Sequence, residues 1–144
     1  MNTTRLEELG ACSEAIVWAK RQESASAAWK NCRRADWMLW LLGRLSGPPE
    51  SESRKRLVLC SCECARTALQ YVPSGEDRPR ICIETTERWT RGEATIEKVR
   101  AAAWDAWAAG AAAHAKALRS MCAIVRRHYP HPPKMGARGK GSKP

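Results

Sequence analysis

Apolar residues recur three or four positions apart along most of this chain, which is the pattern of amphipathic α-helices. In residues 53–71 they share one arc of the helical wheel, and charged or polar side chains lie opposite. Residues 95–128 repeat the pattern in an alanine-rich segment that Thr95 can cap and that Tyr129-Pro130 ends. The two apolar arcs comprise Leu57, Cys60, Cys64, Ala68 and Tyr71, and then Ile96, Val99, Ala103, Trp107, His114, Leu118, Met121 and Val125.

Shorter helices are predicted in the N-terminal third. Ser13 can cap a helix over residues 14–21, and Ser24 or Ser26 can cap a second helix that carries Trp29. Residues 36–42 follow and are apolar on every side of the wheel. A helix without a polar face is usually central, so we expect this one to be buried.

Two turns separate the later helices. Residues 46–52 form a loop rich in Pro, Gly and Ser, and residues 73–77 form a second turn. A helix is predicted to begin at residues 77–79 and to run to about residue 89, with Gly92 after its end. Its expected inward positions are Ile81, Cys82, Thr85 and Trp89.

These elements predict an all-α fold, a compact bundle of about six to seven helices with a long alanine-rich C-terminal helix. The core is expected to combine alanine with tryptophan, because the chain has seven Trp and no Phe. After Pro130 the sequence is Gly, Pro and Lys with little to bury, which predicts a disordered basic tail. We therefore expect a single helical domain over residues 1–129 and a tail over residues 130–144.

Length and charge narrow the class of protein. The 144 residues contain no run near the roughly 20 apolar residues of a membrane span, and residues 1–8 carry charges where a signal peptide would be apolar. We therefore expect a cytoplasmic protein. The net charge of +10 is typical of proteins that bind nucleic acid. Its distribution weakens that interpretation, because the charge is +3 over residues 1–72, +3 over residues 73–129 and +4 over the tail.

Seven cysteines raise the question of a metal site. In a helix, Cys60 and Cys64 share a face while Cys62 points away, so three thiolates cannot reach one tetrahedral ion. The odd number and the expected compartment also argue against disulfides. We interpret the cysteines as structural thiols and expect no metal and no cofactor.

A search for catalytic groups finds little. His114 is the one histidine on an apolar arc, and its pairing with Cys60 or Cys64 would be the arrangement of a thiol enzyme. Asp36 and Glu84 are the carboxylates beside apolar, Trp-containing segments, and Asp36 is expected to cap its helix or to pair with Arg33 or Arg34. These three are the buried polar residues of interest. No Gly-rich phosphate loop, no nucleophile elbow and no His-Glu-x-x-His motif occurs, so no enzyme is predicted.

Three blocks of sequence together resemble a known domain. They lie in residues 10–42, 56–80 and 83–113, and their most specific signatures are Asp36-Trp37 and the run Glu76-Asp77-Arg78-Pro79-Arg80. Their order resembles a small all-helical domain of uncharacterised bacterial and phage proteins, similar to one class of polymorphic-toxin immunity proteins. The resemblance covers most of residues 6–129 and leaves the tail outside.

The resemblance implies a non-enzymatic protein that binds and occludes another protein, either an immunity-type protein or a phage counter-defence protein of the anti-CRISPR-like kind. The partner would be a protein, and the positive net charge favours an acidic one. Because Trp and Arg dominate interface hot spots, Trp104 and the cluster Arg54, Lys55 and Arg56 are the candidate contacts. The alternative is a basic accessory protein that binds nucleic acid through its tail and arginines. The oligomeric state stays open.

Overall fold

The fold is all-α, as predicted. The computed structural model describes residues 1–135, and within them the side chains of all but residues 108–116. The described part has seven α-helices, one short 3₁₀ helix at Leu69–Tyr71 and no strand. The α-helices are α1 Thr4–Glu8, α2 Ser13–Lys20, α3 Ala25–Asn31, α4 Ala35–Leu45, α5 Glu52–Ala68, α6 Arg78–Thr90 and α7 Ile96–His128.

Side-chain caps begin three of these helices. The hydroxyls of Ser24, Ser51 and Thr95 each accept a hydrogen bond from the backbone N–H three residues later. This satisfies one of the free donors of a helix N-terminus. Ser24 is thus the cap of α3, one of its two predicted candidates, and the Thr95 cap is also as predicted. The predicted Ser13 cap is wrong, because α2 begins at Ser13 itself and Cys12 takes the N-cap position without a side-chain bond.

The interior of the bundle is formed by α5, α6 and α7, which pack against one another. Cys60 and Cys64 face α7, and the Cys64 Sγ lies 3.7 Å from the carbonyl oxygen of Met121. Cys62 faces α6 instead, with its Sγ 4.0 Å from the carbonyl oxygen of Ile83. The three thiols therefore lie on two sides of α5 and fill the spaces between helices as small apolar groups.

The N-terminal helices join this interior through α3 and α4. The indole Nε1 of Trp29 donates to the carbonyl of Tyr129 at 2.8 Å, and the Arg126 guanidinium donates to the carbonyls of Trp29 and Cys32. From α4, Ala35, Met38 and Leu42 are buried. The expectation that α4 is central is wrong: its remaining apolar side chains are half-buried, because only one side of α4 meets α5 and α7.

Four residues predicted to face inward are exposed: Tyr71, Ile81, Ala103 and Trp107. Tyr71 is on the surface because α5 ends at Ala68 and the following 3₁₀ helix changes the angular position of later residues. In α6, Pro79 and Ile83 are buried, so Ile81 points outward. In α7, Ala106 is buried and Trp107 is exposed, since one residue along a helix rotates the side chain by about 100°.

Some of the predictions concern residues or side chains that lie outside the described part of the structure. The side chain of His114 lies among residues 108–116, and most of the predicted basic tail lies in residues 136–144, which are not described. None of the described helices is long and apolar enough to cross a membrane.

Candidate protein-binding surface

Two neighbouring tryptophans on α7 point into solvent. The exposed fractions of Trp104 and Trp107 are 84% and 81%, and Ala106 between them is buried. Residues three apart on a helix are neighbours, so the two indoles form one apolar surface. We call it the Trp104/Trp107 surface.

The other five tryptophans behave differently. Trp29 is buried, and the remaining four are half-buried: Trp18, Trp37, Trp40 and Trp89. Among the seven tryptophans, exposure to solvent is therefore confined to this place on α7. A tryptophan carries more apolar area than most other side chains, and leaving two of them in water is costly unless a partner covers them. The sequence identified Trp104 as a candidate but placed Trp107 on the core arc.

The basic cluster at the start of α5 is engaged within the protein. The Arg54 Nε donates to the carbonyl of Gly47 at 3.1 Å, and the Lys55 ammonium lies 3.3 Å from Glu52. The Arg56 guanidinium donates to the carbonyl of His128 and stacks 4.9 Å from the ring centre of Tyr129. These contacts close the loop before α5 and cap the C-terminus of α7.

The basic cluster is also distant from the two tryptophans. Arg56 contacts the end of α7 at His128, which is 24 residues beyond Trp104. At the rise of an α-helix, this corresponds to about 36 Å. The structure thus does not bring the two groups of candidate contact residues together.

Asp36 is the carboxylate of an ion pair. The Arg34 guanidinium donates to both of its oxygens, from Nε at 2.9 Å and from Nη2 at 2.7 Å, and stacks 4.5 Å from the Trp37 ring centre. Burial acts to raise the pKa of Asp36, but the bonds from Arg34 outweigh it and hold that pKa below its usual range. Arg34 is one of the two partners predicted for Asp36.

Glu84 is not a buried polar residue, which corrects the prediction. Its side chain is half-exposed on α6 and lies 3.0 Å from Arg80, one turn earlier on the same helix. It forms an ordinary surface ion pair, worth little to stability. Within the described residues no group of three or more His, Cys, Asp or Glu side chains could hold a metal ion.

The buried thiols have the properties of packing groups. Cys60 and Cys64 are almost completely buried, at 0% and 1% exposed. The hydrogen bond between them, together with burial, raises the pKa of Cys64, and the same bond lowers the pKa of Cys60. Burial raises the pKa of Cys62 to about 12. All three thiols are inaccessible, and an inaccessible thiol is a poor nucleophile.

A cavity of about 460 Å³ lies among the N-terminal helices. Trp18, Trp37 and Trp40 line it, and the ring centres of Trp18 and Trp37 are 5.8 Å apart. Met135, just after the end of the predicted domain, also reaches its wall. No sequence pattern indicated this cavity, because its walls come from four short helices and from a segment about a hundred residues later.

Comparison with known proteins identifies the family. The family model described as "Imm-5 like putative immunity protein" matches residues 47–128, more than half of the chain. The chain belongs to this family. No curated protein and no solved structure matches it.

The match confirms the resemblance to immunity proteins and limits its extent. The Imm-5-like region begins in the loop before α5 and includes α5, α6 and α7, so it contains the Trp104/Trp107 surface. The first block of the resemblance, residues 10–42, lies outside the matched range. The Arg34–Asp36 pair and most of the cavity wall therefore belong to the segment that precedes the Imm-5-like region, whereas Met135 follows that region.

Proposed function

We propose that this protein is an immunity-type inhibitor that binds a protein partner in the cytoplasm and occludes it without catalysing a reaction. The observation that carries the proposal is the Trp104/Trp107 surface. It lies within the Imm-5-like region, and both indoles are more than four-fifths exposed.

The physical argument rests on what a partner would remove from water. Burying apolar area contributes about 25 cal/mol per Å², and tryptophan side chains are the most frequent hot spots of protein interfaces. Two adjacent indoles on a rigid helix need little ordering when a partner binds. A standard interface covers about 800 Å² on each partner, so the surface would form its centre and the surrounding polar side chains its rim.

A phage counter-defence protein would use the same surface in the same way. The two possibilities differ in the partner and not in the physics of binding. A toxin encoded by a neighbouring gene supports the immunity role, whereas neighbouring phage structural or anti-defence genes support counter-defence. The net charge of +10 favours an acidic partner in both cases.

The test is co-purification and titration with the protein encoded beside this gene. We expect Trp104→Ala and Trp107→Ala each to weaken binding by about 30-fold, because a hot-spot residue is worth about 2 kcal/mol or more. Leu59→Ala is the control, since Leu59 is an exposed apolar residue on another helix. A double variant that folds, by circular dichroism, and binds as tightly as the unchanged protein would overturn the proposal.

A further inference from the structure

A second cavity, of about 320 Å³, lies between the end of α3 and the second half of α7. Its wall contains four cationic side chains and no carboxylate. We call it the cationic pocket. Its lining residues are Lys30, Asn31, Cys32, Arg33, Arg119, Cys122 and Arg126.

The local structure explains why the charges meet here. Arg119 and Arg126 are seven residues apart, about two helical turns, so they share one face of α7. At the other side, α3 ends at Asn31 and Cys32 is extended, which brings Lys30 and Arg33 to the same opening. Arg126 is fixed there by its bonds to the carbonyls of Trp29 and Cys32.

Many cations of this protein pair with carboxylates, as Arg78 does with Glu76 and Arg91 with Glu93. Lys30, Arg33 and Arg119 form no ion pair with any carboxylate in the described part of the chain. Exposed cations such as Arg100 are also unpaired, but at this pocket three unpaired cations line one cavity. Like charges held together repel one another, and a bound anion would remove that repulsion.

The floor of the pocket is neutral. The thiols of Cys32 and Cys122 donate to the carbonyls of Arg34 and Leu118, each at 3.4 Å. Burial raises the pKa of Cys122 to about 11, and it also raises that of Cys32. Asp36 acts electrostatically on both thiols, but its carboxylate is already bound by Arg34.

We propose that the cationic pocket binds a phosphate group. One guanidinium can bind both oxygens of a carboxylate, as Arg66 does for Glu87, so four cations exceed what one carboxylate needs. A phosphate carries more charge and more acceptor oxygens, and arginine forks match it in two-point contacts. The Asn31 side chain adds a neutral amide to the wall.

This site is separate from the Trp104/Trp107 surface. Arg119 is 12 residues beyond Trp107 on α7, about 18 Å at helical rise. Loss of phosphate binding and loss of protein binding can therefore be measured independently. The chemistry leaves two sources of the phosphate, a free phosphate or nucleotide and the backbone of a nucleic acid.

The experiment is calorimetric titration of the full chain with inorganic phosphate and with pyrophosphate, at an ionic strength held constant with sodium chloride. The double variant Arg33→Gln/Arg119→Gln is expected to bind at least about tenfold more weakly, because each change removes a charged hydrogen-bond donor. Arg100→Gln is the matched control, an exposed arginine on α7 outside the pocket. It should leave binding unchanged.

In a second titration, a short single-stranded oligonucleotide is added to the unchanged protein, to the double variant and to Arg100→Gln. Binding that is lost in the double variant and kept in Arg100→Gln supports the pocket and assigns the phosphate to a nucleic acid. The double variant removes two charges and Arg100→Gln removes one. A loss of binding free energy that is only about twice as large in the double variant as in Arg100→Gln therefore reflects net charge and overturns the proposal. The proposal is also overturned if neither phosphate nor the oligonucleotide binds, whether or not an acidic peptide binds in a parallel titration. Urea unfolding without phosphate checks that the variants fold.

Discussion

Residues 1–46 and the Imm-5-like residues 47–128 fill their interiors in different ways. The first part has four short helices and uses Trp18, Trp37 and Trp40 around a cavity of about 460 Å³. The second part has helices of 13 to 33 residues, and cysteine and alanine fill the space between them together with Leu57, Ile83, Met121 and Val125. Small residues let long helices approach closely, whereas short helices need large side chains to span the distance between them.

The two parts nevertheless share one core. A single cluster of buried side chains includes Trp29, Met38 and Leu42 from the first part and Met121 and Val125 from the second. The tryptophan-rich helices are therefore a cover attached to the family region. They are attached by α4, which packs against α7 and α5, and by the hydrogen bonds that join the end of α3 to the end of α7. The predictions below test this comparison.

The largest effect is expected at the attachment. Trp29→Ala should lower the free energy of unfolding by about 3–5 kcal/mol, because it removes a buried indole at the joint of the two parts. Trp29→Phe keeps most of the apolar contact and loses the bond to the Tyr129 carbonyl, so its cost should be nearer 1 kcal/mol. Urea unfolding measures both. If Trp29→Ala lowered the free energy of unfolding by less than Trp29→Phe does, the contact of Trp29 with the end of α7 would not hold the two parts together.

The same substitution in each part compares their packing. Met121 is fully buried among closely packed helices, while Met38, also buried, borders the large cavity. Met→Ala changes in cores cost about 2–5 kcal/mol. The loss in the free energy of unfolding should be near the upper end of this range for Met121→Ala and near the lower end for Met38→Ala. Met38 already has fewer packed neighbours on the side that borders the cavity. Equal midpoint shifts in urea would contradict the difference in packing.

A smaller, pH-dependent effect is expected between α5 and α6. The bonds from Arg66 lower the pKa of Glu87 below its ordinary value of 4.5. A carboxyl with a lowered pKa stabilises the folded state above its unfolded pKa, and it loses this contribution as the pH falls through the folded pKa. Glu87→Gln should thus cost less than about 1 kcal/mol at pH 7. The cost should begin to fall as the pH drops below about 4.5 and should vanish only below the lowered pKa of the folded state.

Unfolding midpoints measured across this pH range provide the check. Glu23→Gln is the control, because Glu23 is an exposed carboxylate in the N-terminal part. A Glu87→Gln cost that is independent of pH would mean that the ion pair contributes nothing to stability.

The smallest effect on stability is expected at the Trp104/Trp107 surface. Trp104→Ala should change the free energy of unfolding by no more than about 0.5 kcal/mol, as is usual for surface substitutions. Trp29→Ala and Trp104→Ala are the same substitution at a buried and at an exposed tryptophan, so their effects on stability can be compared directly. A cost above about 1 kcal/mol would show that the indole is covered in solution.

The local features of this fold could be predicted from sequence, and the long-range ones could not. The caps at Ser24 and Thr95 depend on a few neighbouring residues, so the pattern shows them. The orientation of Trp107 depends on which side of the alanine-rich α7 packs against α6. Because α7 has apolar residues on several sides, the sequence pattern does not identify the packed side. The cationic pocket joins residues 30–33 to residues 119–126, and no local spacing links two such segments.

The bond between Trp29 and the Tyr129 carbonyl has a consequence for synthesis. These residues are 100 positions apart, so the first helices leave the ribosome long before the end of α7 exists to cover them. Contacts at such separation also slow folding, because the intervening chain must first be closed into a loop. A nascent or truncated chain that ends before residue 126 therefore leaves the inner side of Trp29 open to chaperones and proteases. Completion of α7 is the step that turns an aggregation-prone chain into a folded protein.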